Sequence, residues 1–391
     1  MGTSLASLMV VTLALFTDSL IYGLTIPLTP RSPAGITEDW MFGVLYIGYS
    51  VGVILATLAC GVLSDRIGRR APMIWGAIVQ LLALWIFGTA KNFPLMLFSR
   101  ILMGAAAAAA WTPGLALVAE KFSKNRALML GYAMSGSTFG LVLGPMVGGF
   151  LLEWRGYEFP VLAVGALALL DMAFRLTVIR DLPASRRQGS ELGALLRDRS
   201  VLAASLTIVL GAWCWCVLEA LLPNHLEKVS HAPASVVGLI FTSGCITYGL
   251  ICPIAGASAD RYGAWRTIQV GFLVMVFTLP LVSFTNRLVQ AGILLSIVNT
   301  SYGLMMNPAL SKLAEVVESR GTGAYASVYA VYNIAYSVGM SASGLAAGLL
   351  VSRFSFSTTL LITSFILLLC FPFVISTASR GEQRSQILGE S

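Results

Sequence analysis

Apolar residues in this chain come in long uninterrupted blocks, not in the alternation of a half-buried strand or the one-sided stripe of a soluble helix. A helix that crosses a bilayer needs roughly 20 apolar residues in a row. Read with that ruler, the sequence predicts twelve spanning helices, over residues 4–29, 40–62, 72–89, 94–119, 127–152, 158–180, 201–222, 234–257, 266–286, 289–316, 322–350 and 355–378. Most connections between them are short. The exception runs from Arg180 to Ser200 and divides the helices six and six. The expected organisation is an N-terminal bundle over 1–180, a linker over 181–200 and a C-terminal bundle over 201–391 ending in a short tail.

Composition agrees with the pattern. Of the 391 residues 57% are hydrophobic and 11% charged, against about 25% charged in soluble domains. The net charge of +7 would suit nucleic acid if it were gathered on one face, but it is spread by loop. With a cytoplasmic N-terminus, 17 of the 25 Lys and Arg fall in cytoplasmic loops and the C-terminal tail. That bias is the positive-inside rule. It predicts cytoplasmic N- and C-termini and excludes nucleic acid as the expected partner. The first helix lacks the charged start and small-residue cleavage site of a signal peptide and is expected to be retained.

The six cysteines lie inside predicted helices, and "CWC" at 214–216 has no histidine at ligand spacing, so free thiols are expected. The single Asn-x-Ser/Thr match, Asn299 to Ser301, falls within a helix. Both histidines, His225 and His231, fall in one predicted outer loop. The chain has no HExxH, P-loop or GxSxG pattern. Neither a metal nor a cofactor is expected, and the reading is not that of an enzyme.

The loop after helix 2 reads "GVLSDRIGRR" and the loop after helix 8 reads "GASADRYGAWR". Gly61, Asp65, Arg66 and Gly68 recur as Gly256, Asp260, Arg261 and Gly263, an offset of 195 residues. A repeat at half the chain length implies two similar six-helix halves, the construction common in transporters. The glycines serve tight turns, Asp65 suits a helix N-terminus or an arginine, and Arg66, Arg69 and Arg70 suit an anionic cytoplasmic surface.

That first loop resembles the helix 2–3 signature of the major facilitator superfamily. "RILMGAAAAAA" from Arg100 resembles its helix-4 signature. "GLVLGPMVGG", with Gly144, Pro145 and Gly148, resembles the helix-5 signature of its proton-coupled antiporters. The resemblance implies two pseudo-symmetric six-helix bundles, an all-α integral membrane protein, alternating access and antiport, with Gly61, Asp65, Arg66, Gly68, Arg69, Arg100, Gly144, Pro145, Gly148, Asp260 and Arg261 in conformational roles.

Ionisable groups inside the spans cost about 2.5–3.5 kcal/mol each on insertion scales and call for a reason. Asp171 and Arg175 are spaced i, i+4 and suit a structural pair on helix 6. Arg100 suits either snorkelling to the interface or a part in proton movement. Glu315, near Lys312, suits interfacial solvation. Asp18 and Glu219 sit inside the repeat-equivalent helices 1 and 7, without a partner on their own helix. Two carboxylates facing a wet cavity suit a cation, protons or the exchange of one for the other; hydrogen-bonded acids that fix helix packing are the alternative. Tyr22 shares the face of Asp18. Tyr325, Tyr329, Tyr332 and Tyr336 share a face of helix 11, with Asn333 beside them; such rings either hold an organic cation or pack between helices.

Within the superfamily the chain resembles the vesicular amine transporters for monoamines, acetylcholine and polyamines. "LALFTDSLIYGLTIPLTP" is similar to their helix 1, where the acid binds the amine, which implies that role for Asp18. "VLEALLP" implies a substrate-recognition acid at Glu219, and "APASVVGLIFTSGCITYGL" a cavity aromatic at Tyr248. The monoamine members carry coupling acids on helices 10 and 11 and a lysine on helix 2; the matching positions here are Tyr302, Asn333 and Tyr49. An acid and its cationic partner lost together strand no charge. The expectation is a monomeric proton-coupled antiporter, in a plasma membrane or an acidic-organelle membrane, that exports or sequesters an organic cation. A symporter or facilitator for a neutral metabolite is the alternative.

Overall fold

The computed structural model describes residues 2–122, 126–179, 198–285, 287–319, 325–351 and 353–389. The side chains of Gly61, Asp65, Arg66, Tyr325 and Tyr329, and all of the linker before Asp198, lie outside the described residues. Among those described there are twelve α-helices: α1 (Gly2–Leu28), α2 (Asp39–Ile67), α3 (Arg70–Thr89), α4 (Phe93–Lys121), α5 (Arg126–Arg155), α6 (Glu158–Val178), α7 (Arg199–Ser230), α8 (Ala234–Tyr262), α9 (Ala264–Leu281), α10 (Leu288–Ser319), α11 (Tyr325–Val351) and α12 (Phe356–Gly389). Eleven are long and apolar enough to cross a membrane by their described residues alone, and α11 is the twelfth. Helices are the expected solution, because hydrocarbon offers backbone groups no partner outside the chain.

Four helix ends run past the sequence reading. Helix α2 continues to Ile67 and α8 to Tyr262, so Gly61, Asp65, Arg66, Gly256, Asp260 and Arg261 of the repeated motifs are helical and not in loops. Helix α7 was expected to stop at 222, before Pro223, but it continues through the proline to Ser230. His231, in the left-handed conformation at φ 48°, ends it. His225 is therefore not a loop residue; its ring stacks on Phe356 at 4.2 Å. Helix α12 likewise runs on to Gly389, where a tail was expected from 379.

Helix pairing carries the repeat into three dimensions. In the first half α1 lies on α5 and α6, α2 on α4, and α3 on α4 and α6. In the second half α7 lies on α11 and α12, α8 on α10, and α9 on α10 and α12. Adding six to each helix number converts one set into the other. The contacts between halves obey the same shift, α5 against α8 and α11 against α2. Gly68 and Gly263 close the two repeated loops at φ 92° and φ 95°, a region where a side chain is strained.

The tightest seam joins α1 and α5, which run parallel. A Cβ added at Gly136, Gly140, Gly144 or Gly148 would run into the carbonyl oxygens of Thr12, Phe16, Leu20 and Leu24 in turn. Both series step by four residues, so one glycine face lies along one line of α1 backbone, the close approach that small residues permit in membranes. Pro145 stands at the junction with the other half: its ring meets Gly23, and its carbonyl meets Gly238 of α8.

The halves meet most closely at the end where α1 finishes and α8 begins. There Arg31 reaches Glu227 at 3.5 Å and donates to the Ala232 carbonyl at 3.0 Å, and Glu153 accepts from the Ser235 amide at 2.7 Å. Gly344 of α11 lies against Gly43 of α2 at the same end. Toward the other end the seam loosens. Gly249 still meets Thr138 at 3.6 Å, but Gly131 and Gly256 meet nothing within 4 Å.

This geometry predicts opposite signs for two glycine substitutions on α5. Gly140→Ala must push α1 away and is expected to cost about 1–3 kcal/mol. Gly131→Ala adds a methyl to open space and should be neutral or stabilising by up to about 1 kcal/mol through helix propensity. Melting temperatures of the purified variants in one detergent check the contrast; equal shifts would refute the seam.

Candidate functional site

Tyr22 lies one turn after Asp18 on α1, and its hydroxyl donates to Glu219 Oε2 at 2.5 Å. That bond joins the two repeat-equivalent helices α1 and α7 across 197 residues of sequence and across the boundary between halves. Glu219 is 2% exposed, and its other oxygen, Oε1, is buried without a well-formed hydrogen bond. A buried carboxylate oxygen of that kind is a place where a proton or a cationic donor is rewarded.

Arg100 reaches the same spot from α4. It does not snorkel; it is 2% exposed. Its guanidinium lies over three tyrosine rings, Tyr49 at 5.1 Å, Tyr46 at 5.6 Å and Tyr22 at 5.8 Å, and its Nη1 donates to Thr25 Oγ1 at 3.1 Å. Each cation–π contact is worth about 0.5–2 kcal/mol, more as water is excluded. Tyr22 and Tyr49 also meet edge to face at 5.2 Å. Arg100, Tyr22 and Glu219 thus form one chain: cation on ring, hydroxyl on carboxylate.

Asp18 is 6% exposed and takes its hydrogen bond within its own half, from the Trp111 indole N–H of α4 at 2.9 Å. Its other neighbours are Thr17, Gln80, Asp171 and Arg175, which with it line a small internal cavity. Asp18 and Glu219 therefore do not share a partner: Tyr22 holds the second, Trp111 the first. The Asp171–Arg175 pair expected from its spacing is formed at 2.5 Å, with Arg175 Nη1 also on the Met73 carbonyl at 3.0 Å.

The second half contributes rings. Tyr302 of α10 lies between Trp215 of α7, stacked at 6.0 Å, and Tyr248 of α8 at 5.3 Å. Tyr332 and Tyr336 of α11 stack at 6.2 Å. Tyr22, Tyr49, Tyr248, Tyr332, Asn333 and Tyr336 are all partly exposed. Tyr49 and Tyr302 are thus rings packed against other rings.

The repeated loops differ in detail. Arg69 donates to Ser64 at 2.5 Å and pairs with Glu120 of α4 at 2.8 Å. Arg70 donates to the Leu176 carbonyl at 2.8 Å. Asp260 and Arg261 are exposed, the latter lying 5.2 Å over its neighbour Tyr262. Glu315 is exposed and pairs with Lys312 at 2.8 Å.

Sequence reasoning missed Trp111, Tyr46, Trp215 and Glu120. Trp111 carried a signal: it is the one large side chain after six consecutive alanines, Ala105 to Ala110. Tyr46, four residues before Ser50 on a helix full of large apolar residues, carried none.

Known proteins resemble this chain in sequence and in fold. The chain is 28% identical over 373 residues to a probable vesicular acetylcholine transporter-B of Danio rerio, covering 89% of this chain and 74% of that one. It is 26% identical over 359 residues to the human chromaffin granule amine transporter, covering 89% and 67%. Among solved structures, a bacterial homolog of the human lysosomal transporter Spinster, inward-facing and unoccupied, aligns with a TM-score of 0.73 at 16% identity, over 97% of this chain and 96% of that one. The nucleoside transporter NupG aligns with the same TM-score at 13% identity, over 96% and 99%. The sequence profile of the Major Facilitator Superfamily matches residues 8–331, and with twelve helices in two six-helix halves around a buried polar chain, this protein belongs to that superfamily.

Proposed function

We propose that the protein is a proton-coupled antiporter that moves an organic amine across its membrane by alternating access. The observation that carries this reading is the Tyr22–Glu219 bond between the halves, one turn from Asp18 and flanked by rings. A carboxylate in a low-dielectric site is neutralised by a proton or by an ammonium group, not by both. Exchange of one for the other is antiport. Arg100 supplies a fixed positive charge, held by tyrosines, that keeps the Glu219 region from carrying an uncompensated negative charge when both leave. Tyr248, Tyr302, Tyr332 and Tyr336 offer π-faces to an alkylated or aromatic amine, with Tyr329 and Asn333 on the same helix as the last two.

The relatives' amine and acetylcholine activities favour an amine over a neutral metabolite. The two six-helix halves, tight at one end and loose at the other, suit rocking about the central site. On this reading the loose end is cytoplasmic, the protein acts as a monomer, and it serves either efflux at the plasma membrane or loading of an acidic organelle. The glycine turns at Gly68 and Gly263, with Gly61, Asp65, Arg66, Asp260 and Arg261 on the helix ends before them, would then limit movement at the cytoplasmic ends.

Proteoliposomes with an imposed pH gradient test this with radiolabelled acetylcholine, serotonin and spermidine. Uptake of at least one is expected, abolished by an uncoupler. Uncoupler-insensitive uptake would make the protein a facilitator instead. Asp18→Asn and Glu219→Gln are each expected to cut gradient-driven uptake about tenfold or more, or about 1.4 kcal/mol. Wild-type rates in both would remove the two acids from the mechanism.

Tyr22→Phe leaves the Glu219 carboxylate buried without its donor. The expected cost is about 1–3 kcal/mol of stability, and Glu219→Leu in the same chain should recover part of it. A double-mutant cycle on melting temperature reads the coupling; strict additivity would mean that the bond contributes nothing.

A further inference from the structure

The cavity beside Asp18 is enclosed by α1, α3, α4 and α6 and lined by Thr17, Asp18, Gln80, Asp171, Arg175 and small residues that include Gly76 and Ala106. Its volume is about 10 Å³, the room of roughly one water molecule. Four polar atoms of its lining are buried and neither donate to nor accept from another protein group: Thr17 Oγ1, Gln80 Oε1, Asp171 Oδ1 and Arg175 Nε. The residues carrying them are 2%, 8%, 2% and 4% exposed. Buried polar groups of native proteins are nearly always paired, and four orphans around one cavity specify their occupant.

The chemistry of the set decides what that occupant is. Arg175 Nε–H only donates, Gln80 Oε1 and an ionised Asp171 Oδ1 only accept, and the Thr17 hydroxyl does either. Water suits both kinds: of its four bonds, one goes to Asp171 Oδ1 and one comes from Arg175 Nε, and Asp18, Thr17 and Gln80 share the other two. A metal cation would satisfy the oxygens but face the Arg175 guanidinium at contact.

We propose that α1, α3, α4 and α6 hold one structural water that hydrogen-bonds Asp18 to the Asp171–Arg175 pair, so that a proton is shared between the two acids. This deepens the proton-coupling reading above and rests on it for its physiological meaning. The step balances without a co-reactant. A protonated Asp18 gives its proton to the water oxygen as the water gives one of its own to Asp171. Asp18 becomes a carboxylate, Asp171 a neutral acid, and Arg175 remains charged throughout. The negative charge thereby moves from the buried pair to Asp18, where an ammonium group would meet it. Asp171, Arg175 and Gln80 are positioning and relay residues in this scheme.

The groups that face Asp18 are few. Arg175 and Asp171 act on it from α6, Trp111 donates from α4, and Gln80 on α3 is neutral. On α1 itself the nearest ionisable neighbour is Tyr22, bonded to Glu219 of α7, with Tyr49 of α2 and Arg100 of α4 stacked beyond it.

Two measurements test the proposal without any transport. In a density map at about 2 Å or better, one solvent peak is expected within hydrogen-bond distance of Asp18, Asp171 and Arg175. No peak, or a peak with metal-type contacts to oxygens alone, would overturn it. Trp111 fluorescence, isolated as the difference from Trp111→Phe, reports the protonation of its bonded acid. Its pH midpoint in the purified wild-type protein is expected to move by about half a unit or more, a differential interaction of about 0.7 kcal/mol, in Gln80→Leu and in Asp171→Asn. Gln80→Leu keeps volume and charge, so it remains informative if the Asp171 variant does not fold. An unchanged midpoint in Gln80→Leu overturns the relay. Because neither readout involves an amine, they fail or succeed separately from the antiport assay.

Discussion

Five charged groups, Asp18, Arg100, Asp171, Arg175 and Glu219, sit inside spanning helices at 2–6% exposure, in a layer that bulk water does not reach. The rest of the architecture is arranged around finding partners for them. Asp171 and Arg175 answer each other on one helix face. Arg100 is answered by three tyrosine rings and a threonine, Asp18 by an indole, and Glu219 by a phenol from the other half. None of these last three has a full opposite charge within ion-pairing distance among the described residues. Neutral donors and π-faces leave a carboxylate able to exchange its proton for another cation, which a tight arginine pair would prevent.

Holding such partners in place requires helices at close range. The glycine face of α5 lets α1 approach to backbone contact over about three turns, which fixes the height of Asp18 and Tyr22. The adjoining side of the same helix, at Pro145, meets Gly238 of α8. Helix α5 therefore links the site of the first half to the surface of the second. Its repeat equivalent, α11, lacks a Gly-Pro but does the same with Gly339 on α7 and Gly344 on α2. The shift-by-six pairing is thus preserved in packing even where the motif is not preserved in sequence.

Sequence by itself determined much of this protein: the number of helices, their approximate ends, the half-length repeat, the i, i+4 ion pair and the identity of the unusual acids. Each is a local property, carried by run length, spacing or a residue type too costly to be incidental. It erred where local signals compete. Pro223 read as a stop, yet α7 passes through it and takes His225 into the helix, because packing around the helix outweighs one lost backbone bond. What only tertiary structure decided is who meets whom. The partners of Asp18, Glu219 and Arg100 lie 93, 197 and 51 to 78 residues away in the chain. Nothing in the periodicity of one helix encodes the rotation of another, so Trp111, Tyr46 and the one-water cavity emerged only when the helices were brought together.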